Sequence, residues 1–235
     1  MKLVCLLGFC LLLFGCGGGT SENPRREISA PSSAGPTLNP GSGPAVAPDP
    51  NDDRPLIVAF GDSLTAGHGV DPGLSYPDFL RKKLEARGHD WRVVNAGISG
   101  ETTTGGLNRV STVTALKPDI VVLELGGNDG LRGMPLDRTR DNLDRIIQEL
   151  RKAGARIVLV GMTLPPNYGP EYIRRFENIY KELAAKHNLP LVPFLLEGVL
   201  KDPAKFILRD GIHATPAGNE LAAENVMAIL EPLLK

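Results

Sequence analysis

The chain has almost no cysteine: its 3 cysteines, Cys5, Cys10 and Cys16, all lie within the first sixteen of 235 residues. A downstream domain therefore has no thiolate, which excludes cysteine catalysis, cysteine-ligated zinc and iron–sulfur clusters. Net charge is also scarce, because 26 Lys and Arg face 27 Asp and Glu. That balance argues against nucleic acid as a partner. With 7 Phe, 4 Tyr and 1 Trp, the chain has too few aromatic residues for a base-stacking platform or an aromatic sugar cleft.

The N-terminal residues have the pattern of a targeting segment. Lys2 supplies a positive start, and an apolar run over Leu3–Phe14 follows it, too short to span a bilayer comfortably. This pattern is typical of a signal peptide, which we assign to residues 1–15. The stretch Leu13–Cys16 (Leu-Phe-Gly-Cys) resembles the lipobox of bacterial lipoproteins. The resemblance implies cleavage before Cys16 and lipidation of its thiol and new amine.

Lipidation at Cys16 would place the protein in the bacterial cell envelope, anchored to a membrane through its N-terminal lipid. Where a cell has two membranes, the periplasmic face of the outer membrane is expected. The alternative is an ordinary secretory signal, which leaves a soluble periplasmic or secreted protein.

A segment rich in proline, glycine and serine separates this start from the rest of the chain. Residues 17–53 contain 7 Pro, 6 Gly and 5 Ser and few large aliphatic side chains. A segment of this composition cannot bury a core, so residues 16–53 are predicted to be a lipidated cysteine followed by a disordered tether. Residues 54–235 are long enough to form one domain around a single core.

Apolar runs alternate with helical periods along this domain. Five runs read as buried strands: Leu56–Phe60, Arg92–Asn95, Asp119–Leu125, Arg156–Met162 and Leu191–Phe194. Apolar residues at helical spacing occur between or after them, at Leu143, Ile146, Ile147 and Leu150, at Ile173, Phe176, Tyr180 and Leu183, and in a last helix through Leu221, Val226, Ile229 and Leu233. Thr215 and Pro216 have the pattern of an N-cap and first residue for that last helix. The alternation predicts an α/β/α sandwich on a parallel sheet, with function at the carboxyl ends of the strands.

Four polar stretches lie where such a site is expected. They are Gly61–Thr65 after the first strand, Asn95–Thr103 after the second, Gly126–Asp129 after the third, and Asp210–His213 before the last helix. Taken singly, each has an ordinary structural interpretation: a serine N-cap, two turns and a structural histidine. A serine at a helix start, an asparagine amide and an Asp-x-x-His pair are also the groups that acyl transfer requires.

In this order, the four stretches resemble the SGNH (GDSL) hydrolase family, and the resemblance covers essentially the whole domain. It implies a flavodoxin-like fold with five parallel strands, and no cofactor or metal. It also implies that Ser63 is the nucleophile, His213 its base and Asp210 the orienting acid. The oxyanion hole would comprise the N–H groups of Ser63 and Gly100 and the amide of Asn128.

Longer stretches indicate a subgroup of this family. Residues 124–133 and 164–169 look like the bacterial thioesterase-I, arylesterase and lysophospholipase subgroup. Gly97 is a second candidate for the loop donor, and the family pattern selects Gly100. The stretch Gly61–Thr65 lacks the G-x-S-x-G elbow, which disfavours an ordinary α/β-hydrolase. His68 is interpreted as a pocket-lining or surface residue.

The expected function is therefore a serine esterase of the arylesterase or carboxylesterase type, acting on short- to medium-chain acyl esters. The alternatives are a lysophospholipase or acyl thioesterase of the same family and, from another class, a lipoprotein that only binds. The expected partners are a small acyl ester or lysophospholipid and the membrane that holds the anchor. No obligate protein partner is implied.

Overall fold

The computed structural model describes residues 52–234, so the predictions for residues 1–15, for Cys16 and for the tether up to residue 51 lie outside the described residues. The domain is built on five parallel strands in the order β2-β1-β3-β4-β5. The strands are β1 (Leu56–Gly61), β2 (Arg92–Gly97), β3 (Ile120–Glu124), β4 (Arg156–Val160) and β5 (Leu191–Val192). The predicted five-stranded parallel sheet is confirmed, and its strand order is flavodoxin-like.

The central strands are apolar because both faces of the sheet are covered. Every residue of β1 and β3 is buried, including the charged residue Glu124 at the end of β3. In the sheet register, Gly61 pairs with Gly97 of β2 and with Glu124 of β3. Three neighbouring strands therefore end at the same edge, and the loops that leave them begin side by side.

The helices form two packed groups. Residues 52–234 contain α1 (Ser63–Ala66), α2 (Tyr76–Ala86), α3 (Thr103–Thr114), α4 (Gly127–Leu131), α5 (Leu136–Lys152), α6 (Pro170–His187), α7 (Pro203–Phe206) and α8 (Pro216–Leu230). Helix α5 packs against α3 and α6, whereas α2 packs against α8. With the sheet, the two groups make the expected three-layer sandwich. None of the helices in this part of the chain is long and apolar enough to cross a membrane.

The last helix begins as predicted and ends earlier. Thr215 caps it by accepting a hydrogen bond from the N–H of Gly218 at 3.2 Å, and Pro216 is its first residue. The helix stops at Leu230, and Leu233 lies in a short 3-10 turn instead of the α-helix. Pro232 explains the difference, because a proline has no N–H to donate to the preceding turn of helix.

The fifth strand is also shorter than its apolar run. The sequence predicts a strand over Leu191–Phe194, whereas β5 covers Leu191–Val192 only. Pro193 cannot donate to a sheet ladder, so the strand ends before it. Strands β3 and β4 likewise stop one or two residues inside their predicted runs.

Candidate active site

Ser63 lies on the turn that follows β1, as the first residue of the short helix α1. Asp62 caps this helix, and its Oδ1 accepts a hydrogen bond from the N–H of Leu64 at 3.1 Å. The N–H groups of Gly67 and His68 both donate to the carbonyl of Ser63, at 3.1 and 3.0 Å. These backbone bonds fix the serine at the carboxyl edge of the sheet.

A closed loop over residues 207–214 carries His213. An antiparallel bridge joins the two ends of the loop, and the N–H of Leu208 donates to the carbonyl of His213 at 2.7 Å. Inside the loop, Oδ1 of Asp210 accepts hydrogen bonds from the N–H groups of Ile212 and His213, at 2.9 and 3.0 Å. The carboxylate and the imidazole are thus held in one small turn.

The loop brings three predicted site residues into one chain of hydrogen bonds. His213 Nδ1 lies 2.7 Å from Oδ2 of Asp210, and His213 Nε2 lies 2.9 Å from Oγ of Ser63, 150 positions away. An ionised carboxylate only accepts, so Nδ1 carries the hydrogen and Nε2 accepts from the serine hydroxyl. Partial burial alone would raise the pKa of Asp210, but the N–H groups of His213 and Ile212 and the His213 ring outweigh it, and the pKa falls to about 2.

The loop after β2 offers two glycines as an oxyanion donor, and their surroundings differ. A Cβ at Gly97 would lie 2.3 Å from the backbone nitrogen of Ala66, and the N–H of Gly97 donates to Oδ1 of Asn95 at 2.9 Å. Gly97 therefore allows β2 to pack tightly against α1. Gly100 has a φ of +79° and lines the same cavity as Ser63.

Asn128 lies in the first turn of α4, just after β3. Its Nδ2 donates to Oδ2 of Asp62 and to the carbonyl of Glu101, both at 3.0 Å. These two bonds hold the amide between the serine turn and the loop of Gly100. Because both acceptors belong to the protein, donation to a substrate oxygen requires the exchange of one of these bonds.

The predicted residues surround a cavity of about 170 Å³. Its lining combines polar groups with an apolar wall and consists of Asp62, Ser63, Leu64, His68, Ser99, Gly100, Gly127, Asn128, Leu131, Met162, Ile212 and His213. Asp210 lies behind His213 and outside this lining. An acyl group in the cavity would have the serine hydroxyl and the candidate donors on one side and aliphatic side chains on the other.

The sequence matches the GDSL-like Lipase/Acylhydrolase family over residues 59–221, a span that includes all of these site residues. Esterase TesA of Pseudomonas aeruginosa is 45% identical over 179 residues, which are 76% of this chain and 89% of that protein. Thioesterase 1/protease 1/lysophospholipase L1 of Escherichia coli K12 is 36% identical over 76% of this chain and 84% of its own length. The chain belongs to the GDSL-like lipase/acylhydrolase family.

The fold of this GDSL hydrolase agrees with that of a solved relative. The crystal structure of TesA superposes with a TM-score of 0.73, covering 76% of this chain and 99% of the solved chain at 45% identity. The resemblance to the SGNH (GDSL) family and the expected fold are thus confirmed. The chain is an enzyme of the hydrolase class.

Two buried carboxyl groups lie directly behind the serine of this GDSL hydrolase. Asp62 is 2% exposed and Glu124 is fully buried. Glu124 Oε2 accepts hydrogen bonds from Oγ1 of Thr65 at 2.8 Å and from the N–H of Asp62 at 3.2 Å. Burial raises the pKa of Asp62 to about 6. Burial, and then the neighbouring Asp62 charge, raise the pKa of Glu124 well above its usual range.

The hydrogen bonds show which of the two carboxyls carries the charge. Asp62 accepts from the N–H of Leu64 and from the amide of Asn128, whereas Glu124 Oε1 has no partner among the described residues. Asp62 is therefore the anion and Glu124 the neutral acid. Neither carboxyl is among the site residues predicted from the sequence, although an acidic residue at the end of an otherwise apolar strand is a signal for such a pair.

Charged side chains also support the loop of Gly100. Arg109 Nε donates to Oε1 of Glu101 at 2.8 Å, and its Nη2 donates to the carbonyl of Ala96 at 2.8 Å. Arg132 Nη2 donates to the carbonyl of Gly100 at 2.9 Å. These contacts tie the loop to β2 and to the end of α4. These contacts are not predicted from the sequence, because the partners are far apart in the chain and form no recognisable motif.

His68 lines the cavity, in agreement with one of its two sequence interpretations. Its ring centroid lies 4.4 Å from that of His213. With Asp210, the two histidines form a group whose potential metal-ligand atoms all lie within 4.8 Å of one another.

Proposed function

We propose that this GDSL hydrolase is a serine esterase in which Ser63 is the nucleophile, His213 the general base and Asp210 the residue that orients the base. One observation carries the proposal. The imidazole accepts from the serine hydroxyl at 2.9 Å through Nε2, while its Nδ1 is held by the carboxylate at 2.7 Å. This is the arrangement that Ser-His-Asp hydrolases use on unrelated folds.

The reaction proceeds in two steps through an acyl-enzyme. His213 takes the proton of Ser63 as Oγ attacks the ester carbonyl, and the tetrahedral oxygen accepts from the N–H groups of Ser63 and Gly100 and from the amide of Asn128. His213 then gives its proton to the leaving alcohol as the ester bond breaks. A water molecule, deprotonated by His213, attacks the acyl carbon, releases the acid and restores the serine.

The size and chemistry of the cavity favour short acyl groups. A volume of about 170 Å³ holds a small acyl chain, and Leu64, Leu131 and Met162 offer it apolar contacts. Residues 54–235 hold 23 Lys and Arg and 22 Asp and Glu, so the domain has almost no net charge with which to attract a charged substrate. We therefore assign uncharged esters of short to medium acyl chains as the substrate class.

Hydrolysis of p-nitrophenyl acetate and butyrate by the purified full chain tests the proposal. Ser63→Ala is expected to lower kcat by on the order of 10⁵–10⁶. Ser99→Ala is the matched control, because Ser99 lines the same cavity and the contact of its Oγ is with His68. A fluorophosphonate probe should label wild type and the control but not Ser63→Ala. Equal rates in wild type and Ser63→Ala would overturn the proposal, and an unlabelled wild type would favour a protein that only binds.

A second substrate class, lysophospholipids, is favoured by apolar side chains beside the cavity. Ile212 lines the cavity and is 45% exposed, and Ile98, which precedes the lining residue Ser99 in the chain, is 43% exposed. Their combined replacement by serine should lower kcat/KM for lysophosphatidylcholine more than for p-nitrophenyl acetate. A series of p-nitrophenyl esters and an acyl-CoA, assayed beside it, separates esterase, thioesterase and lysophospholipase activity. Absence of any lysophosphatidylcholine turnover would remove this class.

We also propose that Cys16 carries a lipid anchor that holds the enzyme at a membrane of the cell envelope. The support is the stretch Leu13–Cys16 and the proline- and glycine-rich segment after it. In cell fractionation, Cys16→Ala is expected to move the protein from the membrane to the soluble fraction. A wild-type protein that is already soluble would contradict the anchor.

A further inference from the structure

The acyl-transfer steps assign no role to His68, although its imidazole packs against that of His213. The two rings are tilted by 46° with centroids 4.4 Å apart. His68 Nδ1 lies 3.5 Å from Oγ of Ser99, a long contact that a metal–nitrogen bond can replace. Two imidazoles that lie this close together offer two of the nitrogen ligands that transition metals such as zinc and nickel accept.

The donor atoms lie near enough for one metal ion to bind them after small side-chain movements. The potential ligand atoms of His68, Asp210 and His213 all lie within 4.8 Å of one another. A tetrahedral zinc ion with bonds of about 2.1 Å holds its ligands roughly 3.4 Å apart. His68 follows α1 on a loop and is only partly buried, so small side-chain rotations can close the difference.

We propose that His68 and His213 bind a divalent transition-metal ion such as Zn²⁺, and that the bound ion inhibits the enzyme. His213 Nε2 faces the cavity with its lone pair, because Asp210 keeps the hydrogen on Nδ1. A carboxylate behind a histidine in this way also orients metal-binding histidines and strengthens them as ligands. Asp210 thus supplies the negative charge of the site from the far side of the ring.

Inhibition follows from the atom that the metal occupies. The ion takes the Nε2 lone pair that otherwise accepts the hydrogen of Ser63, 2.9 Å away. The serine then has no base, and substrate no longer reacts. Inhibition of ester hydrolysis is a readout that rests on the proposed esterase function, whereas binding of the metal ion does not depend on that function.

Metal preference gives the first test. The full chain is assayed with p-nitrophenyl acetate over a range of ZnCl₂, NiCl₂, MgCl₂ and CaCl₂ concentrations. Zn²⁺ and Ni²⁺ should inhibit, and EDTA should restore the rate. Mg²⁺ and Ca²⁺ prefer oxygen ligands and should not inhibit at the same concentrations. Equal inhibition by all four cations would overturn a two-histidine site.

Variants at His68 give the second test. His68→Phe keeps a ring against His213 and removes both donor nitrogens, and each rate is taken relative to the metal-free rate of the same variant. The Zn²⁺ concentration for half inhibition should rise at least about tenfold. His89→Phe is the matched control, because its imidazole lies elsewhere, with Nε2 3.6 Å from Glu231. That variant should show the wild-type Zn²⁺ response.

Calorimetric titration with Zn²⁺ separates failure of this inference from failure of the esterase assignment. Wild type and Ser63→Ala should both bind the ion, with or without esterase activity, whereas His68→Phe should lose that binding. His68→Asn serves as a second variant, and thermal melting checks that both variants fold. The proposed site would be wrong if a folded His68 variant bound Zn²⁺ with the wild-type affinity and were inhibited by Zn²⁺ to the same extent as wild type.

Discussion

At the scale of single residues, the proposed role of Asn128 is the one that requires a change in hydrogen bonding. Its amide donates hydrogen bonds to Asp62 and to the carbonyl of Glu101. In the proposed mechanism it donates one of these hydrogens to the substrate oxygen instead. Asn128→Ala is expected to lower kcat by on the order of 10²–10³ with little change in KM, because the oxyanion forms only in the transition state.

Steady-state kinetics with p-nitrophenyl butyrate measure this effect. Asn142→Ala is the matched control, since it removes another amide of the same region, one that donates to Oγ1 of Thr103 at 3.1 Å. That control should lower Tm and leave kcat near the wild-type value. An unchanged kcat in Asn128→Ala would remove Asn128 from the oxyanion hole.

Glu124 offers a second residue-scale prediction. Because this carboxyl is neutral, Glu124→Gln keeps its shape and an acceptor for Thr65, and kcat/KM should stay within about threefold of wild type. Glu124→Leu leaves the Thr65 hydroxyl and the Asp62 N–H without their acceptor, at a cost of about 1–3 kcal/mol in the free energy of unfolding. Kinetics and urea unfolding of the two variants distinguish a neutral from an ionised Glu124. A large activity loss in the glutamine variant would show that the charge is required.

At the scale of elements, the close packing of β2 against α1 depends on Gly97, which has no side chain. A Cβ at Gly97 would lie 2.3 Å from the Ala66 nitrogen, so Gly97→Ala must push the serine turn away from the sheet. We expect a loss of stability above about 2 kcal/mol, as for other strained core substitutions, together with lower activity.

Gly154→Ala is the matched control for this prediction. Gly154 has a φ of +88°, and apart from its chain neighbours no described residue has a heavy atom within 4 Å of the added Cβ. Its substitution should therefore cost only the backbone strain, about 1–2 kcal/mol, and leave activity intact. Thermal melting and p-nitrophenyl acetate hydrolysis compare the two variants. Equal effects on both measurements would mean that the packing of Gly97 has no special importance.

The elements were largely predictable from the sequence because the sheet is buried on both faces. A doubly covered strand such as Leu56–Gly61 is a continuous apolar run, and such runs are visible without an alignment. The ends of elements were less predictable. Pro193 and Pro232 end β5 and α8 inside the apolar runs, because a proline lacks the N–H that a strand or helix needs, which the apolar pattern alone does not show.

The site residues that lie in short sequence motifs were predictable. The residues that act through contacts with positions far away in the chain were not. Ser63 and His213 lie in short motifs at strand and loop ends, and the resemblance of these motifs to the SGNH family assigned both residues to one site. Glu124 and Arg109 act through buried or distant partners. Their importance comes from the sheet register and from packing, which a single sequence does not display.

At the scale of the whole molecule, the buried carboxyl pair gives stability a dependence on pH. Burial raises the pKa of Asp62 to about 6 and that of Glu124 well above its usual range, whereas unfolded carboxyls titrate near pH 4. At these two carboxyls the folded protein therefore holds more protons than the unfolded chain above about pH 4, so this pair makes the free energy of unfolding fall as pH rises.

Glu124→Gln removes one of the two groups. Its free energy of unfolding, relative to that of wild type, is therefore expected to increase from pH 5 to pH 8. Urea unfolding of both proteins at each pH measures the difference. Glu182→Gln, at an exposed position on α6, is the control and should give no trend. Parallel curves for Glu124→Gln and wild type would contradict the neutral-acid assignment.

The bond between Ser63 and His213 joins positions 150 residues apart. Strand β1, which precedes Ser63, pairs with two strands that come later in the chain, and the loop of His213 follows the last strand. During synthesis the proposed nucleophile therefore leaves the ribosome early and its proposed base leaves late. In a chain that lacks the folded His213 loop, the Ser63 hydroxyl has no base and is expected to be unreactive. Under the proposed mechanism, ester turnover therefore requires that the first strand and the loop before the last helix have both folded into place.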